Sequence, residues 1–571
     1  MTLDLLSLPW LPFLRRSGAV TWGAPHLLAD GTANPDGADP VVGLRAPRPD
    51  FEGAALEFLV GLLTVTLRPA TEEEWREWWE HPPSPQMLRA RLAELPPAFT
   101  LDGDGPRFFQ DRASADFAES DPIPVGQLLI DAPGGQTIAH NKDLFVKRGQ
   151  VERLGPAAGA LALLTLQTYS PAGGRGNRTS LRGGGPLTTL VDPRVRAADG
   201  AWQAHGQPLW YVLWANVQST ERWERFAPPG TEGPNGLPVW NAVFPWLAPT
   251  RTSEGKDRAT TPGDAHPLQA FFGLPRRIRL EFGGPGRCAL TGRDEARTVV
   301  GFRMRPYGVQ YAGWQHPLTP HYRAKDKQTG LEMMLPLHGQ PGGVGWRDWL
   351  GLTLRTPTGD GARAPAAAVA EFLEFRARDV GANEVRLLAF GYDLDNMKAR
   401  GWVTSVQPAF ATPDPAHAEV LADAARRLTK GTDLAADALL GAVRRALYAS
   451  DEVPGDLSAV KGDLWADTAD PFFAAMRALA NPRATFADAE ARCADFRADM
   501  ARRALAVFDR RCPTSGLASQ VLRRLVSARY ALAGTLRGAG KAGAKLFGAD
   551  GFRLPLDTAR PSTPTPQEVA A

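Results

Sequence analysis

Residues 170–190, SPAGGRGNRTSLRGGGPLTTL, carry the residue types best suited to contact a polyanion. Glycine permits positive φ and lets another molecule approach the main chain closely. Arginine adds a planar fork of donors that matches phosphate groups and base edges. The segment contains six glycines and three arginines, namely Gly173, Gly174, Gly176, Gly183, Gly184, Gly185, Arg175, Arg178 and Arg182. It therefore predicts a loop whose backbone lies very near a bound polyanion.

Other chemistries fit this segment less well. A glycine-rich surface turn without a binding role is one alternative, because glycines are common in turns. A nucleotide-binding P-loop would need Gly-Lys-Ser/Thr after the glycines, and the segment contains no lysine. His140-Asn141 suggests an HNH nuclease, but no second histidine and metal-ligand framework follow at a suitable spacing. A nuclease or nucleotide-dependent enzyme is thus the competing class, and the sequence favours binding over catalysis.

Apolar segments in other parts of the chain would hold this loop in place. The run 157–168, AAGALALLTLQT, directly precedes the loop and predicts a helix that anchors it. Residues 50–66 are apolar on every side, which is typical of a helix inside a core. Residues 384–390 predict a strand. Residues 131–148 are polar and contain glycine, so they predict a loop.

After residue 413 the composition changes to helical sequence rich in Ala, Leu and Arg. The predicted helices cover residues 415–428, 433–450, 470–480, 485–510 and 517–536. The fold class is therefore α+β, with a large irregular mixed α/β domain at 1–410 and a C-terminal helical bundle of the four-helix type at 411–547. The remaining segment, 548–571, is rich in proline and threonine, which predicts a disordered tail.

Composition limits the compartment and the kind of partner. The chain has 571 residues and a net charge of +3, so a nucleic-acid surface must arise from local clusters of charge. Residues 501–547 form such a cluster, with ten basic residues and one acidic residue. Three cysteines are too few for a disulfide framework and fit a reducing compartment. The N-terminus does not resemble a secretory signal, and no apolar run reaches the ~20 residues that span a bilayer. We therefore expect a cytoplasmic protein without membrane contact.

Several segments together resemble one family. The loop sequence is similar to the glycine loop of the CasA family, the large subunit of the type I-E CRISPR surveillance complex, Cascade. The resemblance extends to LLSLPWLPF at 5–13, PRFFQ at 106–110 and GYDLDNMKAR at 391–400. It implies a non-catalytic subunit that recognises a protospacer-adjacent motif (PAM) in double-stranded DNA, starts strand separation and R-loop formation, and recruits a helicase–nuclease. The implied partners are crRNA, target DNA, the other Cascade subunits and that helicase–nuclease. A transposon-associated complex that recruits integration proteins is an alternative with the same fold.

The resemblance also implies which residues contact nucleic acid. At the PAM the glycine loop would contribute Ala172, Gly173, Gly174, Arg175, Gly176 and Arg178. A basic finger in the same groove would be Arg303 or Arg305, with Arg305 preferred. A wedge against the first base pairs would comprise Asp395, Asn396, Met397 and Lys398. A loop that reaches toward the crRNA 5′ end and the duplex would use Thr137, His140, Asn141 and Lys142.

Two further expectations concern the bundle and a metal. The one-sided charge of residues 501–547 favours DNA contact through Arg523, Arg524 and Arg529. Many members of the resembled family hold zinc with two pairs of cysteines, and the first pair falls here on Gly155 and Ala158. At the second pair only Cys288 remains. One thiol cannot build a four-ligand site, so we expect no metal and no cofactor.

Overall fold

The computed structural model of the protein describes residues 2–34, 38–113, 117–144, 146, 148–174, 176–194, 207–233, 237–255, 258–325, 331–356, 361–395, 397–448, 457–515, 519–548 and 551–553. The chain forms two compact units. The mixed unit comprises Met1–Gly343, Pro365–Phe372 and Asp379–Val406. The helical unit comprises Val344–Ala364, Leu373–Arg378 and Gln407–Ala571.

Short helices and small sheets alternate in the mixed unit. Its helices are α1 (Pro49–Leu67), α2 (Glu72–Glu80), α3 (Pro85–Leu92), α4 (Gly135–Ala139), α5 (Pro156–Tyr169), α6 (Leu209–Trp214), α7 (Trp240–Val243) and α9 (Ala367–Glu371). Its strands are β1 (Leu3–Asp4), β2 (Leu11–Arg15), β3 (Val20–Gly23), β4 (Val41–Leu44), β5 (Thr100–Asp102), β6 (Ile123–Pro124), β7 (Thr188–Asp192), β8 (Ala259–Thr260), β9 (Arg277–Gly283), β10 (Gly286–Arg287), β11 (Asp294–Glu295), β12 (Thr298–Arg305), β13 (Gln310–Tyr311), β14 (His321–Lys325), β15 (Glu332–Pro336), β17 (Glu384–Asp395) and most of β18 (Lys398–Phe410).

The three-stranded sheets include those with the orders β3-β2-β4, β6-β12-β9 and β18-β17-β7. Strand β12 is antiparallel to β9 and places Arg305 opposite Arg277. Strand β17 is antiparallel to β7 and places Leu388 opposite Leu190. The glycine-rich segment joins α5 to β7, so it connects a core helix directly to an edge strand of a sheet.

Two apolar helices form the centre of the mixed unit. Helix α1 begins with a proline at its first position, where the missing N–H costs nothing, and is buried along most of its length. Helix α5 starts in the same way and is buried on nearly every side. The two helices pack against each other. The buried helix predicted over 50–66 and the anchoring helix predicted over 157–168 are both confirmed.

The helical unit contains a long central helix surrounded by shorter ones. Its elements are α8 (Trp349–Thr353), β16 (Arg363–Ala364), α10 (Pro415–Leu447), α11 (Ser458–Asp467), α12 (Ala469–Leu479), α13 (Phe486–Arg511), α14 (Ser519–Thr535) and α15 (Gly540–Phe547). The α+β class with a C-terminal helical region is confirmed. Within the described residues, no helix is both long and apolar enough to cross a membrane.

Helix α10 corrects one prediction. The sequence predicted two separate helices here, at residues 415–428 and 433–450. The structure has one continuous helix, and a Cβ at Gly431 would lie 2.5 Å from the ring of Phe552. Phe552 is itself buried in the core of this unit. The folded part of the chain therefore extends into the segment predicted as a disordered tail, and Gly431 is small because Phe552 packs on it.

Two glycines of α10 give a matched test of this packing. We expect Gly431→Ala to lower stability by about 1–2 kcal/mol, since overpacking against Phe552 outweighs the gain in helix propensity. Gly441→Ala should instead raise stability by about 0.5–1 kcal/mol, because only the flexible end of Arg445 is near. Melting temperatures of both variants would check this. A rise for both would contradict the assigned packing.

Candidate nucleic-acid interface

The glycine loop, residues 170–187, is closed by hydrogen bonds at its base. The backbone N–H of Ser180 donates to the carbonyl of Ser170 at 3.1 Å, and that of Gly183 donates to Ser180 at 2.9 Å. Gly183 and Gly185 adopt positive φ values of 86° and 62°. The second half of the loop is thus a tight turn that leads into β7.

The three glycines of the first half have different roles. A Cβ at Gly173 would stand 2.8 Å from the guanidinium of Arg276, and one at Gly176 would stand 2.6 Å from Pro306. These two positions need glycine because the chain packs against them. Gly174 has φ +84° and is exposed, with nothing within 4 Å of an added Cβ. It is therefore the glycine that offers bare backbone to a ligand.

Of the loop arginines, Arg178 already has partners within the chain, and Arg175 lies outside the described residues. The Nε of Arg178 donates to Ser253 Oγ at 2.8 Å, and its guanidinium lies 5.9 Å from the ring centroid of Tyr307. The backbone N–H of Tyr307 in turn donates to Gly176 at 2.7 Å. Arg178 thus helps hold the loop against the segment after β12. Ala172, earlier in the loop, is exposed.

Arg182 belongs to the core, although the sequence grouped it with the phosphate-binding arginines. It is 3% exposed, and its Nη2 lies 2.6 Å from Glu57 Oε1 of α1. Its Nη1 donates to the hydroxyls of Thr188 and Thr319 at 3.0 and 2.8 Å. The guanidinium also lies over the ring of Tyr169. Arg182 therefore joins α5, the loop, β7 and α1.

The other groups around Glu57 are neutral. Burial, with the charge of Glu57, raises the pKa of Tyr169, whose hydroxyl donates to Glu57 at 3.3 Å. Burial and the nearby Arg182 lower the pKa of His316 well below its ordinary value. The Nδ1 of His316 accepts from the N–H of Leu318, so the ring proton is on Nε2, 3.5 Å from Glu57. Glu57 and Arg182 are thus the only charges of this cluster among the residues described here.

Breaking this pair should be costly. We expect Arg182→Met to lower stability by about 3–5 kcal/mol, since it leaves Glu57 buried without its counter-charge. The double variant Glu57→Gln, Arg182→Met should be less destabilised than Arg182→Met alone, which urea unfolding would measure. The matched control is Arg76→Met, which removes a half-exposed ion pair with Asp379 and should cost about 0–1 kcal/mol. Equal losses for the buried and the exposed pair would contradict this assignment.

The structure distinguishes the two candidates for the basic finger. Arg303 pairs with Glu281 at 2.6 Å and donates to the carbonyl of Ser120. The side chain of Arg305 has no hydrogen-bond or ion-pair partner among the described residues, and its Nε is buried. Arg305 immediately precedes Pro306, which packs on Gly176. Arg305, whose side chain is unpaired, therefore lies beside the glycine loop, whereas Arg303 forms an ion pair within its own sheet.

The wedge residues lie at the tip of a β-hairpin. Strands β17 and β18 are hydrogen-bonded neighbours joined by two residues, a connection that only antiparallel strands allow. Met397 is 58% exposed at this tip, and Asp395 and Lys398 are exposed on either side. Asn396 lies outside the described residues. Below the tip, Arg400 pairs with Asp393 at 2.7 Å, which ties the two strands together.

The hairpin contacts the glycine loop. A Cβ at Gly185 would lie 2.8 Å from Leu394 and from the carbonyl of Tyr392, and one at Gly391 would lie 2.4 Å from the carbonyl of Pro186. A pocket of about 370 Å³ separates the two elements further out, lined by Ala172, Thr179, Gly183, Gly184, His338, Gly339, Gln340, Pro341, Leu394 and Arg400. Burial lowers the pKa of His338 in this pocket. The loop, the residues after β12 and the hairpin thus form one continuous surface.

The predicted loop at 131–148 contains the short helix α4. Thr137 lies in α4, and the exposed His140 ends it. Asn141 has φ +51° and accepts a hydrogen bond from Arg148 at 2.9 Å. Lys142 is exposed, and its backbone N–H donates to Thr137. These four residues share one surface turn.

Most arginines of the basic cluster at 501–547 are paired within the helical unit. Arg529 makes two hydrogen bonds to Asp509, and Arg524 donates to the carbonyls of Ala446 and Leu447 at the end of α10. Other acidic partners come from outside the cluster, at Asp463, Asp467 and Asp499. Arg523 is exposed and has no partner in the part of the chain that the structure describes. Of the three predicted contacts, Arg523 alone offers an unengaged guanidinium.

The residues at the expected zinc position do not fit a metal. The hairpin that carries Cys288 lies next to the start of α5, where Ala289 N–H donates to Arg153 and a Cβ at Gly155 would contact Glu295. Cys288 and Ala158 are both buried. No group of three or more His, Cys, Asp or Glu side chains suited to a metal occurs among the described residues. One buried thiol lacks the ligand set that a structural zinc site requires.

Comparisons with known proteins identify the class of fold. The Cse1 of Thermobifida fusca has a TM-score of 0.66 and 18% identity, over 94% of this chain and 98% of that one. CasA (Cse1) of Thermus thermophilus gives 0.58 and 18%, over 93% and 99% of the two chains. A chain of a CRISPR RNA-guided surveillance complex gives 0.59 and 17%, over 93% and 99%. The protein thus has the Cse1 fold.

The sequence match assigns the family itself. The family model of CRISPR-associated protein Cse1 matches residues 4–507. The chain belongs to this family, and the resemblance identified from its glycine loop and hairpin sequence is confirmed.

Proposed function

We propose that this chain is the non-catalytic large subunit of a crRNA-guided type I-E Cascade complex in the cytoplasm. In that role it recognises the PAM in double-stranded DNA, starts strand separation for the R-loop, and recruits the helicase–nuclease. Its partners are crRNA, target DNA and the other Cascade subunits. Family membership and the likeness to a chain of a surveillance complex support this proposal.

One observation carries the proposal. The glycine loop contacts the segment after Arg305 on one side and the hairpin that bears Met397 on the other. Bare backbone at Gly174, an unpaired guanidinium and an exposed apolar side chain therefore occur on the glycine loop and on the two elements that contact it. Such a set suits a duplex, because backbone and arginine fit a groove and an apolar side chain can enter a base step.

The chemistry of the groove limits what the loop can read. The loop offers few side chains, and the minor groove mainly distinguishes A·T from G·C pairs. We therefore expect several related PAMs to be accepted. Sequence specificity beyond the PAM comes from pairing with the guide.

Recognition and opening should be separable by mutation. Gly174→Leu should reduce discrimination between PAM-bearing and PAM-free duplexes by at least ~10-fold, because the added side chain occupies the approach to the backbone. Met397→Gly should preserve PAM binding but slow R-loop formation on linear DNA, and negative supercoiling should partly rescue it. Duplex binding and R-loop kinetics of the assembled complex measure the two effects.

A second glycine controls for backbone strain in this experiment. Gly230 also has positive φ, at +81°, and open space around it. Gly230→Leu should leave PAM discrimination unchanged, while both leucine variants should still assemble. If Gly174→Leu opens target DNA normally, or if both Gly174→Leu and Met397→Gly lose binding and opening equally, the assigned roles are wrong.

We further propose that the chain folds without zinc. Gly155, Ala158 and a single buried thiol at Cys288 leave no set of four ligands. Purified protein should contain no stoichiometric zinc by elemental analysis, and EDTA should not change its melting temperature. About one zinc per chain would contradict this proposal.

A further inference from the structure

Arg276 is a buried cation directly beneath the glycine loop. It is 6% exposed, and its Nη2 donates to the carbonyl of Pro171 at the start of the loop. Its backbone N–H donates to Gln167 Oε1 at 3.0 Å, and its carbonyl accepts from Gln167 Nε2 at 2.9 Å. The side chain is therefore fixed at one end by α5 and at the other by the loop.

This arginine differs from three other buried arginines of the mixed unit. Those three face carboxylates, in the pairs Arg182–Glu57, Arg277–Asp111 and Arg386–Asp192. No carboxylate pairs with Arg276 among the described residues, and its Nε is buried without a partner. Burial lowers the pKa of Arg276 to about 10, so it is still charged at neutral pH. A buried charge without a counter-charge is costly, and a bound anion would relieve that cost.

The loop residue that lies against the Arg276 guanidinium is an exposed glycine. The exposed Gly173 covers the guanidinium, and a Cβ there would come within 2.8 Å of Nη1 and 3.1 Å of Nη2. No side chain of Gly173 thus separates this charge from a ligand on the loop. The preceding residue, Pro275, is itself in close contact with Gly308, three residues after Arg305. Arg276 therefore lies between the loop and the finger.

We propose that Arg276 binds a backbone phosphate of the target duplex across Gly173. This inference rests on the proposed function, since it gives the glycine loop a phosphate contact in addition to its approach to the groove. The ligand is a phosphodiester, and its negative charge takes the place of the carboxylate that the other buried arginines have. Arg276 is in this view a binding residue, although it is hidden in the unbound chain.

The test uses the complex assembled with crRNA. Arg276→Met should weaken binding to a PAM-bearing duplex by about 10-fold at low salt, and it should reduce the slope of log K against log salt by about 0.9. The melting temperature of the purified chain should not fall, because the variant removes an uncompensated buried charge. Arg276→Lys should keep the wild-type slope with intermediate affinity. An unchanged slope together with a lower melting temperature would make Arg276 a purely structural residue and overturn the inference.

Arg279, three residues further along in β9, is the matched control. Burial also lowers its pKa to about 10, but it lies near the carboxylates of Asp111 and Asp102. Arg279→Met should leave the salt slope unchanged, and a slope reduced as much as for Arg276→Met would overturn the inference. If Arg276→Met instead prevents co-purification with crRNA and spares duplex binding, the phosphate belongs to the RNA and the DNA assignment is wrong. If the wild-type complex ignores the PAM, the proposed function fails first, whereas wild-type discrimination with no effect of Arg276→Met rejects this inference alone.

Discussion

The ion pair between Glu57 and Arg182 is the constraint on which the candidate interface depends. Both side chains are buried, and they connect α1 to the second half of the glycine loop. A buried pair contributes little net stability, because removing two charges from water costs about as much as their attraction returns. Its effect is to permit one arrangement only, since any shift of the loop leaves two charges unpaired. The loop is therefore rigid where it enters β7.

This anchoring explains how a segment with six glycines can have a defined shape. Glycine loses more conformational freedom on folding than any other residue, so a free loop of this composition would be mobile. Here a neighbouring part of the chain packs against each of Gly173, Gly176 and Gly185. The absence of side chains thus serves close packing at these positions. Among the loop glycines, only Gly174 is exposed to solvent with no neighbouring atom where a side chain would be.

The sequence predicted those parts whose determinants are local. Helices α1 and α5 follow from continuous apolar segments, and the exposure of Met397 agrees with the charged residues around it. The role of Arg182 could not be predicted, because Glu57 lies 125 residues earlier in the chain. The packing of Phe552 on Gly431, inside the continuous helix α10, could not be predicted for the same reason, since the two residues lie far apart in the sequence. Residue type indicated which groups could bind phosphate, but only the fold shows which of them already have a partner.

Pairing within the chain also determines how the protein would bind DNA. The sequence has nearly equal numbers of basic and acidic residues, 65 and 62, and the fold uses many of the acids to neutralise arginines. Even the basic cluster of the helical unit is largely paired by Asp463, Asp467 and Asp499. Non-specific affinity for DNA depends on the number of phosphates that free cations can neutralise. Under the proposed function, the arginines that are already paired with acids would add little to this affinity, so that occupancy of DNA would depend more on the PAM and on guide pairing than on those charges.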